Sequence, residues 1–162
     1  MTEKFIKLSA EKNTAEVLEI PVVEDKELDN SFNEFVYRQI NCDLYEAVNV
    51  GGTFKGVIML VDESGKWRGK QVNNIAWLIY NGCNPLDHIV GDVIFCGTHR
   101  VGELQELDFC GLTDEQVSEI MEHVRRFRIF FGMDEAGRET PSTARRSPSH
   151  EREAKGGTDG ES

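Results

Sequence analysis

Two apolar runs between Gly56 and Gly97 limit what this chain can become. Residues 57–61, Val-Ile-Met-Leu-Val, are β-formers with no polar residue among them, as expected of a strand covered on both faces or nearly so. Asp62, Glu63, Ser64 and Gly65 end the run, because Asp and Ser bond locally and Gly accepts a positive φ. Residues 89–96 form the second run, in which Gly91 predicts a bulge or a close backbone approach. Residues 74–80, between the two, are apolar but too few for periodicity to separate helix from strand, and Pro85 closes that segment.

The flanking chain supplies partners for these strands. Residues 4–8 and 15–23 read as an N-terminal hairpin turned at Glu11, Lys12 and Asn13, with Pro21 suited to a strand end or sheet edge. Over residues 26–40, Leu28, Phe32, Phe35, Val36 and Ile40 recur at helical spacing behind Asp25 as N-cap. Residues 43–50 read as a strand joined through Gly51-Gly52 to the first central run as an antiparallel hairpin. Residues 97–111 show no clear element and are read as a loop. Thr113 followed by Gln116 matches a capping box, and Val117, Ile120, Met121, Val124 and Phe127 continue at helical spacing to a stop at Gly132.

These elements predict an α+β fold: a mixed, mostly antiparallel sheet of about five strands with two main helices packed on one face. The order strand-helix-strand-strand-helix-strand permits a split βαβ arrangement if residues 74–80 are helical. One domain is expected over 1–132. Residues 133–162 are rich in Gly, Ser, Thr, Pro and charge and are read as a disordered tail.

The chain of 162 residues carries 18 Lys and Arg against 29 Asp and Glu, a formal charge of −11. That balance disfavours binding to duplex DNA through its phosphates. No segment approaches the roughly 20 apolar residues of a membrane span, and the N-terminal residues show no signal-peptide pattern, which predicts a cytoplasmic protein. Four cysteines without paired short spacings predict reduced thiols there.

The order of motifs resembles a known family. The first hairpin and helix, Val61-Asp62-Glu63-Ser64-Gly65-Lys66, Asn73-x-x-Ala76, Ile89-Val90-Gly91-Asp92 and Leu112-Thr113-Asp114-Glu115-Gln116 are similar in sequence and order to the domain of unknown function 3846 family of phages, plasmids and conjugative elements. The resemblance runs from about Phe5 to Phe127. Two departures stand out: Asn74 replaces an expected Arg, and Asn41-Cys42 replaces an expected glycine pair. The resemblance implies a small α+β domain of mobile-element origin and implies no reaction.

Three residue sets are candidates for function. Lys66, Trp67, Arg68 and Lys70 make a basic loop with an indole suited to stacking, and Asn73 and Asn74 follow it as ligand contacts or helix caps. Residues 103–122 hold seven acids and no Lys or Arg: Glu103, Glu106, Asp108, Asp114, Glu115, Glu119 and Glu122. A further ten acids face three basic residues over 11–46. Acids spaced on exposed faces can imitate duplex phosphates and occupy a basic protein surface, or they can serve solubility alone. Cys83, His88, Cys96 and His99 are zinc-type ligands but lack tight spacing on both halves, so no metal and no cofactor is expected. No nucleophile, base and metal set can be assigned, so no enzymatic activity is expected. The leading expectation is an acidic, non-catalytic inhibitor or regulator with a protein partner. The alternative is a small-ligand or single-strand nucleic-acid module built on the Trp67 loop.

Overall fold

The computed structural model describes residues 2–21, 31–81 and 87–133. Six strands and three helices follow in the order β1 (Thr2–Leu8), β2 (Ala15–Pro21), α1 (Ser31–Ile40), β3 (Tyr45–Asn49), β4 (Val57–Asp62), α2 (Asn74–Asn81), β5 (Val93–Val101), β6 (Glu106–Cys110) and α3 (Asp114–Phe130). The fold is α+β, with a sheet ordered β2-β1-β5-β4-β3 in which every pairing is antiparallel. The Asp25 cap, the first turns of the expected helix over 26–40, residues 22–23 of the first hairpin, Cys83 and the tail beyond Met133 lie outside the described residues.

Four successive antiparallel pairings leave β2 and β3 running the same way on opposite edges. The connection β2-α1-β3 is therefore a split βαβ crossover with three strands inside it. The second part of the expected pattern differs, because β4 and β5 are adjacent and antiparallel although α2 lies between them. The short apolar segment that periodicity left open is helix α2.

The sequence reading expected the two main helices on one face; instead α1 lies on one side of the sheet and α3, with α2, on the other. Strand alternation sends Ile6, Leu8, Met59, Val93 and Phe95 to one side, where Ile75, Ile79, Ile120 and Val124 of α2 and α3 cover them. Phe5, Leu60, Ile94 and Cys96 point the other way, against Val36 and Ile40 of α1. The reason is in β4 and β5: residues apolar on both sides need a cover on both, and one side left bare would expose Leu60 and Ile94, each worth about 1.5–3 kcal/mol of burial.

Local chemistry fixes the boundaries. Asn41 adopts φ 52° and ends α1 in the left-handed conformation that Asn tolerates. The capping box at α3 is formed in both directions: Gln116 N donates to Thr113 Oγ1 at 3.1 Å and Thr113 N to Gln116 Oε1 at 2.9 Å. Gly132, at φ 68°, follows the last turn. The segment read as a loop is instead a hairpin: β5 continues to Val101, and β6 returns with Thr98 opposite Phe109 and Val101 opposite Glu106. Its outer half carries exposed side chains on both strands, so no buried stripe marked it in the sequence.

Candidate binding surfaces

The Trp67 loop grows out of the end of β4. Asp62 Oδ1 accepts from Ser64 N at 2.9 Å, starting the turn, and Lys70 N returns to Gly65 O at 3.0 Å. The loop's cations are each paired with acceptors, and Lys70 among them is turned inward. Lys70 Nζ lies 2.6 Å from Asp62 Oδ2 and donates to the carbonyls of Ile40 at 2.9 Å and Asn41 at 2.7 Å, at the negative end of α1. Arg68 Nη1 is 3.6 Å from the same carboxylate oxygen and 3.4 Å from Asn41 O. Lys66 pairs with Asp87. Lys66 and Arg68 stay exposed while paired, and Trp67 turns out furthest, 93% exposed.

The two asparagines divide. Asn73 is fully buried: its side-chain amide donates to Leu8 O at 3.1 Å and Gly91 O at 3.0 Å, and its Oδ1 accepts from Ala76 N at 3.2 Å. It is the N-cap of α2 and a tie between three segments, which leaves it no face for a ligand. Asn74 is exposed at the first helical position. Gly91, at φ 75°, is where Lys70 passes closest; a Cβ there would meet Lys70 Cδ at 2.9 Å. Backbone approaches there as well, since Gly91 N donates to Gln71 O at 2.7 Å, as the sequence reading allowed.

The seven acids of 103–122 fall on two elements. Glu103 and Glu106 are exposed on the β5–β6 hairpin, where Asp108 lies 3.7 Å from His99. On α3, Asp114 pairs with Lys4 at 2.9 Å, and Glu122 accepts from Arg125 at 2.7 and 2.9 Å and from Arg126 at 3.1 Å. The Arg125 hydrogen bonds, with help from Arg126, hold the Glu122 carboxyl down at about 2. Glu115 and Glu119 are exposed one turn apart, with no cation within ion-pair distance among the described residues. Sequence reasoning missed the apolar residues beside the hairpin acids: Leu104 is 84% exposed and Leu107 52%. The alternation Glu106-Leu107-Asp108-Phe109 was the available signal.

The zinc-type side chains do different work. Cys96 is buried on the α1 face, where desolvation pushes its thiol up. His88 stacks on Trp77 with centroids 4.4 Å apart, and His99 faces Asp108. Among the described residues no three His, Cys, Asp or Glu side chains converge to hold a metal ion. No described helix is long and apolar enough to cross a membrane.

No curated protein and no solved structure matches the chain. A family model described as Domain of unknown function (DUF3846) matches residues 5–125, a span that begins in β1, takes in both central strands and ends within α3. With well over half of its length inside that match, this chain belongs to the domain of unknown function 3846 family.

Proposed function

We propose that the chain is a non-catalytic interaction protein of a mobile element, an acidic inhibitor or regulator that binds a basic surface of a host protein. The observation that carries this reading is the contrast between paired and unpaired charge. Lys66, Arg68 and Lys70 are matched by Asp62, Asp87 and the end of α1, while Glu103, Glu106, Glu115 and Glu119 stand exposed without a cation in reach among the described residues. Carboxylates of this kind steer a positively charged partner and lose their pull as salt rises. Leu104 and Leu107, beside two of them, supply apolar area that charge alone does not. The mobile-element origin rests on the family resemblance.

The test is capture of host-lysate proteins by the immobilised full chain, repeated with E103Q/E106Q and E115Q/E119Q variants. Specific capture at about 50 mM salt that falls away at about 500 mM and in the variants supports the reading. Capture indifferent to salt and to all four substitutions rejects it.

The exposure of Trp67 favours a second reading, a ligand or single-strand nucleic-acid module with Trp67, Lys66, Arg68 and Asn74 as its accessible residues. Quenching of Trp67 fluorescence by oligonucleotides, absent in W67F, would support it. An unchanged emission across the titration would remove it.

A further inference from the structure

On the α1 face, at the seam between β1 and β6, lies a groove of about 240 Å³. Phe5, fully buried, forms part of its lining, with Phe32, Phe109 and Ile20 around it; the Phe5 and Phe32 rings are 5.6 Å apart and the Phe32 and Phe109 rings 6.2 Å. An aromatic lining with a few polar groups is how small-molecule sites are built, and this volume suits a ligand of about ten non-hydrogen atoms.

The charge in the lining has one sign. Glu3 and Asp108 line the groove, and no Lys or Arg does among the described residues. One Glu3 oxygen accepts from Gly111 N at 3.3 Å, which fixes the side chain and leaves the second oxygen available. Asp108 Oδ1 accepts from Phe109 N at 3.0 Å, and its Oδ2 is 3.7 Å from His99. Tyr45 is already satisfied, donating to Asn33 Oδ1 at 2.6 Å, and burial pushes its hydroxyl up to about 12, so it stays neutral. Ser31 and Asn33 add polar groups to the lining, but its charged feature is carboxylate beside aromatic rings, a combination that selects a cation carried on an apolar body.

We infer that this groove binds small organic cations of the arylalkylammonium class, the ring lying among Phe32, Phe109 and Ile20 and the ammonium meeting Glu3. The groove shares β6 with the hairpin half of the partner surface proposed above, but its Glu3 lies on β1, and Glu115 and Glu119 lie on α3, which covers the opposite face of the sheet. Either can fail alone.

The probes are phenethylammonium, neutral 2-phenylethanol and anionic phenylacetate, added to the isotope-labelled full chain and followed through backbone amide shifts in NMR. Saturable shifts at Glu3, Ile20, Phe109 and Gly111 are expected with phenethylammonium, at a Kd of roughly 1 mM or below, weaker with the alcohol and absent with phenylacetate. E3Q keeps the acceptor for Gly111 N and should weaken the cation about threefold without changing the alcohol, and D108N should act in the same direction. No saturable shift by about 20 mM, or equal binding of cation and anion, overturns the inference.

Discussion

Lys70 Nζ and Asp62 Oδ2 meet at 2.6 Å in a place water barely reaches: the side chain of Asp62 is 1% exposed and that of Lys70 16%. The pair joins the end of β4 to the end of α1, since the same ammonium also satisfies Ile40 O and Asn41 O. Removing one partner leaves the other charge buried, which costs more than the pair itself contributes. K70M should therefore lower stability by about 3–5 kcal/mol in chemical denaturation, and D62N/K70M should recover part of that loss. If K70M unfolds at the wild-type midpoint, the pair does not hold α1 to the sheet.

Asn73 offers a sharper test because it both donates and accepts. N73D keeps the oxygen that caps α2 but sets a carboxylate against the carbonyls of Leu8 and Gly91. Its folded-state pKa should rise above the unfolded value, so the variant gains stability as pH falls through that raised pKa and loses it at neutral pH. Thermal melts at pH 4 and 7, which should rank the variant in that order, check the sign.

At α3, T113A removes the cap acceptor for Gln116 N and should cost about 1 kcal/mol. Q116A should exceed that, because Gln116 also donates to Lys55 O at 3.1 Å and so ties the helix to the turn before β4. Urea midpoints of the two variants give the comparison.

Glu122 sets an acid limit on the same helix. Its folded pKa, held down at about 2 chiefly by Arg125, lies below the usual 4.5, so its contribution is complete above that usual value and disappears as pH falls toward 2. An NMR titration should place its midpoint near 2 and show R125Q moving it back toward 4.5.

Gly97 tests how closely β5 and the chain after β6 approach. A Cβ there would stand 2.6 Å from Gly111 O, a backbone atom that cannot swing aside. G97A should lower stability by about 3 kcal/mol and shift the amide resonances of β6.

What could be seen in the sequence was whatever the chain states locally. The central strands, the first hairpin and the α3 capping box depend on residues a few positions apart, and all three are present in the structure. The division of helices between faces was legible in principle, since Leu60 and Ile94 are apolar on the side away from Met59 and Phe95. The inward use of Lys70 was not. Its acceptors at Ile40 and Asn41 are about 30 residues away, and a lysine beside Trp67 and Arg68 looks the same whether it meets a ligand or a helix end. The groove was hidden for a similar reason, because Glu3 and Phe109 are neighbours only once Leu112 pairs with Lys4.

The position of β5 sets the order in which the molecule can assemble. β1 with β2 and β3 with β4 are hairpins between nearby residues, but no strand links the two until β5 enters between β1 and β4. During synthesis both hairpins emerge before their common neighbour, with Phe5, Leu60 and Met59 still uncovered. Loop-closure entropy delays a joining step of that sequence separation. A chaperone meeting the nascent chain would find this interval its longest exposure, and a truncation before Val93 would make that exposure permanent.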